Sequence, residues 1–179
     1  MRKITILSVA LLCSTVTGIN NNAILTEQIL DNVTNEVTLD LKETTSKLKE
    51  IVDYTTSSGK LSLFRALRGK RRSRKTIKTT TNQVEQKINN AIQNIEQEKG
   101  KQYPDIRKKT GTFIAATKND VYAMHKKMTG KMRKLIGVQQ AEIVQKKVNK
   151  AKNKINKFEQ TLLVKVAKLK SELQHDLER

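Results

Sequence analysis

The sequence predicts an all-α protein: an elongated antiparallel helical bundle, or coiled-coil-like helices, that is free of disulfide bonds. Apolar residues recur at helical spacing along most of the chain. Trp is absent and Phe and Tyr number three each, so a large aromatic core is not available, and the abundance of Asn, Lys, Thr, Ile and Gln favours long polar helices over a β-sandwich. The single cysteine, Cys13, lies in a predicted signal peptide. The mature chain must therefore be held by helix packing or by a partner, or be only weakly held together.

Residues 1–18 have the three parts of a secretory signal peptide. Arg2 and Lys3 form a basic start, an apolar run follows from Ile4 to Leu12, and Val16 and Gly18 are small residues suited to a signal-peptidase site. The apolar run is too short for a membrane helix, which needs about 20 residues, and no later stretch is apolar enough. The protein is therefore expected to be secreted. Loss of the cysteine excludes zinc thiolate sites, CxxC redox chemistry and a cysteine nucleophile from the mature chain.

Residues 19–54 are expected to form an acidic amphipathic helix. From Asn20 to Asp53 there are seven Asp and Glu against three Lys. The apolar positions of this segment recur at helical spacing. They are Ile24, Leu25, Ile29, Val33, Val37, Leu41, Leu48, Ile51 and Val52.

Residues 55–78 are expected to be a basic linker, because "TTSSGK" interrupts the first helix and nine basic residues without an acid follow from Lys60 to Lys78. Residues 79–179 are expected to be a basic helical domain. Its helices are predicted near 76–99 and 105–128, with Gly100 as a C-terminal cap and Pro104 shortly after it. Gly130 and Gly137 predict a turn or kink before the last helix.

The C-terminal segment has the clearest periodicity, a heptad-like seam over roughly 40 residues without Gly or Pro. Its members are Val144, Val148, Ala151, Ile155, Phe158, Leu162, Val166, Leu169, Leu173 and Leu177. Packing within the chain is favoured, because several amphipathic helices must bury their stripes and the acidic segment 20–53 complements the basic segment 101–170. The alternative is a helix–helix homo-oligomer through 144–177, or docking on another protein's helix.

No arrangement of residues predicts catalysis. His125 and His175 are far apart in sequence and form no HxxxH or HExxH pattern, and no GxSxG, P-loop or GxGxxG motif occurs. The acidic residues stand at surface helical spacings opposite Lys, which is typical of solvated ion pairs. We therefore expect no enzyme, no catalytic residue, no metal and no cofactor.

The segment "FRALRGKRRSRK", residues 64–75, holds seven Arg and Lys and no acid, within a chain of net charge +19. Such a run gains affinity for nucleic acid or sulfated glycan by releasing condensed counterions. The residues assigned to polyanion binding are Lys70, Arg71, Arg72, Arg74 and Lys75, and the same "KRRSRK" resembles a nuclear-import signal. No DNA-recognition motif and no aromatic stacking platform accompany the charge. A solvated linker without a role is the alternative.

Two short motifs overlap in the same run. "RALR", with Arg65, Leu67 and Arg68, follows the signal peptide at a distance that resembles the layout of secreted oomycete effectors of the RxLR type. That resemblance implies translocation into a host cell and a helical effector domain; the acidic EER-type stretch and the Trp of many such domains are absent here. "RGKR", which adds Lys70 and Arg71, resembles a cleavage site of furin-type proprotein convertases.

The sequence therefore predicts a secreted, non-enzymatic, effector-like protein that binds a host macromolecule, a protein or a polyanion, through cationic helices. Its destination would be the host cell, including the nucleus. One alternative is an extracellular coat or matrix protein that binds sulfated glycans or acidic partners, and another is a proprotein cleaved after Arg71. Asn32 begins an "NVT" glycosylation sequon on the first predicted helix.

Overall fold

The computed structural model describes residues 17–56 and 62–178, with side chains from residue 25 onward. These residues form four α-helices: α1 Thr17–Thr56, α2 Leu63–Lys99, α3 Pro104–Arg133 and α4 Ala141–Glu178. The all-α prediction is confirmed. Most of the predicted signal peptide, residues 1–16, lies outside the described residues, and α1 begins within its last two positions.

The four helices form an antiparallel bundle in which each helix packs against two others. α1 and α3 each contact α2 and α4, so that sequential helices are neighbours and the first and last helices close the ring. The seam of α4 is buried inside this bundle, which confirms packing within the chain. A homo-oligomer through 144–177 stays a prediction, and it would need a different face of α4.

The helix ends follow local sequence signals. Ser62 caps α2, because its hydroxyl accepts a hydrogen bond of 3.2 Å from the backbone N–H of Arg65. Gly100 ends α2 at φ 58°, the left-handed conformation that favours glycine, and Pro104 opens α3, as the sequence predicts. The turn before α4 is centred later than expected, since Gly130 lies within α3 and the turn uses Gly137 at φ 83°.

Ion pairs join α1 to α4 along the edges of the core, as the opposite charges of these segments predict. Lys152 lies 2.5 Å from Asp53, and Lys170 lies 2.5 Å from Asp31. Exposed pairs of this kind contribute about 0–1 kcal/mol each, so they set the register of the helices more than their stability. The stability comes from the apolar seam that all four helices share.

The linker prediction for 55–78 is wrong from Leu63 onward, where the basic run is already the first part of α2. The helix begins 13 residues before the predicted start. The hydrophobic pattern did not predict these turns, because Gly69 and Ser73, rather than large apolar residues, occupy the buried positions that precede Ile77. Gly69 lets α2 approach α1 closely and Ser73 faces His125 of α3, but small residues add nothing to a pattern based on hydrophobicity. Arg, Lys, Leu and Ala are good helix formers, so the run has no local reason to unwind.

Candidate polyanion-binding surface at one end of the bundle

Charge is distributed unevenly along the long axis of the bundle. The middle of the axis is marked by a core layer in which Leu41, Val84, Thr117 and Leu162 line the same small cavity. We call one half the basic end (residues 41–56, 63–81 and 119–159) and the other half the neutral end (residues 25–40, 82–118 and 160–178). The basic end holds 22 Lys and Arg against six Asp and Glu, whereas the neutral end holds ten against eleven. The net formal charges are therefore +16 and −1.

The antiparallel topology produces this polarity. The start of α2, the end of α3 and the start of α4 meet at the same end of the bundle. Each contributes basic residues that are separated in sequence by the neutral parts of the helices. α1 does not compensate them, since residues 41–56 hold three Lys against three Asp and Glu.

The residues predicted for polyanion binding lie along the first half of α2. Lys70, Arg71, Arg72, Arg74 and Lys75 are all exposed. The Arg72 guanidinium is 4.7 Å from the centre of the Tyr54 ring on α1, so it is held by a cation–π contact. The structure therefore brings these cations together on one helix.

Arg65, Leu67 and Arg68 of the "RALR" motif lie in the first two turns of α2. Arg68 donates a hydrogen bond of 3.3 Å to the Tyr54 hydroxyl, and its guanidinium is 4.8 Å from the centre of the Phe64 ring. The hydrogen bond from Arg68 lowers the pKa of Tyr54. The motif is thus part of a folded helix that is tied to α1.

The predicted protease site is helical as well. The peptide bond after Arg71 lies within α2, and Gly69 of the "RGKR" motif is buried against Thr55 of α1. Proteolytic cleavage concentrates at exposed loop tips. Access to this bond would require the first turns of α2 to unfold.

A second group of cations lies where α3 and α4 pack together at the basic end. Lys127 and Lys131 stand one turn apart on α3, and Lys150 and Lys154 stand one turn apart on α4, all four exposed. The Lys154 side chain approaches the Lys131 side chain across the two helices, and the charges of the other two lysines act on Lys131 as well. We call these four residues the lysine cluster. Sequence reasoning missed it, although each half shows as a Lys pair at i and i+4.

The lysine cluster is electrostatically unfavourable in the protein alone. The contact with Lys154, together with desolvation and the neighbouring charges, lowers the pKa of Lys131. The ion pairs that α3 and α4 form within the described ranges use other lysines, such as Lys109 with Asp176 and Lys165 with Asp120. An anion placed between the two helices would remove this repulsion.

A buried polar contact lies beneath the basic surface, between α2 and α3. His125 is 7% exposed, and its Nε2 lies 2.9 Å from the Ser73 Oγ and 3.4 Å from the Lys70 carbonyl oxygen. Burial lowers the pKa of His125, and the charges of Lys70 and Arg74 lower it further. The imidazole is therefore neutral at pH 7 and serves packing.

Asn32 lies apart from these groups. It is exposed on α1 at the neutral end, and Thr34 of the same sequon donates a hydrogen bond of 2.8 Å to the Leu30 carbonyl oxygen. Among the residues that the structure describes, no group of three or more His, Cys, Asp or Glu could hold a metal ion. None of the helices, within the same residues, has an apolar stretch long enough to cross a membrane.

Comparisons of the chain with protein-family models, with curated proteins and with solved structures find no match. The arrangement of charges on the bundle is therefore the basis for a functional proposal.

Proposed function

We propose that the protein is a secreted, non-enzymatic binding protein of effector type that engages a polyanion through the basic end of its bundle. The observation that carries this proposal is the lysine cluster, four exposed cations held side by side across two helices. A solvated surface that only keeps the protein soluble has no need to bring like charges into contact. A polyanion would turn this repulsion into attraction.

The basic end suits a polymer better than a small anion. The cations of α2, α3 and α4 cover separate faces of one end, so that a chain of phosphates or sulfates could contact several of them at once. Each neutralised phosphate releases condensed counterions, which makes binding strong at low salt and weak at high salt. The surface has no recognisable means of reading a base sequence.

Binding to heparin and to single-stranded DNA, measured as a function of salt concentration, tests the proposal. We expect both polyanions to bind. For DNA, replacement of all four lysines of the cluster by Gln should reduce the slope of log K against log salt by about 3, at roughly 0.7 per lost contact. The matched control replaces four lysines of the neutral end by Gln: Lys99, Lys101, Lys108 and Lys168. An equal loss in both variants would show that net charge alone matters and would contradict a site at the basic end.

Entry into recipient cells distinguishes the effector from the extracellular alternative. Entry of the labelled mature protein into recipient cells, with nuclear accumulation that depends on residues 70–75, would support an effector. Retention on cell-surface sulfated glycans without entry would support a coat or matrix protein. The resemblance of Arg65 to Arg68 to the RxLR motif is part of this proposal. Replacement of Arg65 and Arg68 by Gln should then abolish entry, while heparin binding weakens only by the share of two cations.

A further inference from the structure

Large apolar side chains are exposed at the outer tip of the basic end. Leu63, Phe64 and Leu67, in the first two turns of α2, are 59%, 65% and 41% exposed. Leu67 follows Leu63 by one helical turn and Phe64 by three residues, so the three side chains are neighbours on the helix surface. They form one patch, which we call the apolar tip.

The apolar tip continues into a cleft between helices. Leu63 and Leu67 line this cleft together with Met132 of α3 and Ile136 of the following turn. The charged side chains of the cleft lining are Lys70 and Arg133. Cations thus surround the apolar side chains at the end of the bundle.

We propose that the apolar tip docks on the surface of an anionic lipid bilayer, with Leu63, Phe64 and Leu67 inserted among the lipids and the surrounding cations in contact with the headgroups. This inference goes beyond the proposed binding of a soluble polyanion. Apolar side chains at the boundary between headgroups and acyl chains, combined with basic residues, are the usual means by which proteins bind such a surface without crossing it. Because the tip is at one end of a long bundle, the bundle axis would stand away from the membrane.

Other occupants fit the tip less well. A sulfated glycan or a nucleic acid backbone has no apolar interior in which Leu and Phe side chains could be buried. A second copy of the chain would bring two ends of net charge +16 together, which repulsion opposes. An anionic bilayer supplies both an apolar layer and negative charge.

The chain offers a direct reporter, because it has no Trp. A Phe64→Trp variant of the mature protein is mixed with phosphatidylserine-rich vesicles and with pure phosphatidylcholine vesicles. We expect a blue shift of its fluorescence, and quenching by brominated acyl chains, with the anionic vesicles only. The matched control is Val164→Trp on the neutral end, where Val164 is 67% exposed, and its emission should not shift.

A second pair of variants measures the contribution of the tip to affinity. The triple replacement of Leu63, Phe64 and Leu67 by Ser should weaken binding to anionic vesicles by roughly tenfold or more, since partial burial of three apolar side chains is lost. Replacement of the exposed Leu39 and Val164 by Ser should have no effect. Heparin binding should be unchanged in both variants, which distinguishes this surface from the polyanion site.

Several results would overturn the inference. A Phe64→Trp emission that is the same with and without vesicles would do so, as would equal shifts at positions 64 and 164. A blue shift that grows with protein concentration in the absence of lipid would assign the tip to self-association instead. An unchanged affinity of the triple Ser variant for anionic vesicles would show that charge alone is responsible for binding. Failure to bind heparin, by contrast, would refute the polyanion proposal and leave this one standing.

Discussion

Replacement of Gly69 by Ala tests how closely the basic segment of α2 packs against α1. Ala is favoured over Gly inside a helix by about 1 kcal/mol, so the change would ordinarily stabilise the protein. At residue 69, however, a Cβ atom would approach the Cγ2 atom of Thr55 to less than 3.0 Å, and Thr55 is only 3% exposed. Overpacking of this kind costs about 1–3 kcal/mol. We expect Gly69→Ala to lower the free energy of unfolding by about 0–2 kcal/mol.

Two further variants test this expectation: a control for helix propensity and the second mutation of a double-mutant cycle. Gly111 of α3 has no atom within 4 Å of a Cβ built on it, so Gly111→Ala should stabilise the protein by about 1 kcal/mol. Thr55→Ser removes the Cγ2 methyl group and keeps the hydroxyl, which donates a hydrogen bond of 2.8 Å to the Val52 carbonyl oxygen. In the Thr55→Ser background, Gly69→Ala should therefore regain most of the helix-propensity benefit.

The assay is urea unfolding followed by circular dichroism. If Gly69→Ala stabilises the protein as much as Gly111→Ala, residues 64–75 are not packed on α1 as described. A cost that Thr55→Ser fails to relieve would also refute the reasoning, because the clash would then involve a different atom.

Two other predictions concern single side chains. Because the pKa of His125 is lowered in the folded protein, the unfolded chain binds more protons, and stability should fall as the pH drops below about 7 towards the folded pKa. His125→Gln should flatten this part of the stability–pH curve, which urea unfolding at a series of pH values would measure. Glu96 accepts a hydrogen bond of 3.0 Å from the Tyr103 backbone N–H and another of 2.8 Å from Arg107 Nε, so Glu96→Gln should loosen the α2–α3 connection and speed its amide hydrogen exchange. Unchanged exchange at residues 100–103 would contradict that role.

Much of the fold can be predicted from the sequence, because the apolar stripes of four helices are long and regular. The seam from Val144 to Leu177 and the Gly100 cap depend on local patterns, and both are present. The early start of α2 could not be predicted in this way. Gly69 lies against Thr55 of α1 and Ser73 against His125 of α3, and close approach through small residues depends on the partner helix.

The candidate site was predictable only in part. The basic run of residues 64–75 is evident in the sequence, but a charge run in one dimension does not show which other charges lie beside it. The lysine cluster depends on the register of α3 against α4, which also places Lys109 beside Asp176. The apolar tip was not predicted, because residues 55–78 were expected to be a linker. The helix that forms there places Leu63, Phe64 and Leu67 on one side.

The double variant Lys131→Gln/Lys154→Gln tests most directly the claim that the basic end is built for a polyanion. Its unfolding in urea and its affinity for heparin are measured together, with Lys152→Gln, which breaks the ion pair to Asp53, as the control. We predict that the double variant unfolds at higher urea concentration than the unmodified protein, because the repulsion between the two lysines is removed. It should also bind heparin more weakly, because the same two charges contact the polyanion. The control should be no more stable than the unmodified protein. A double variant that loses stability, or that gains stability and binds heparin as well as before, would contradict the claim.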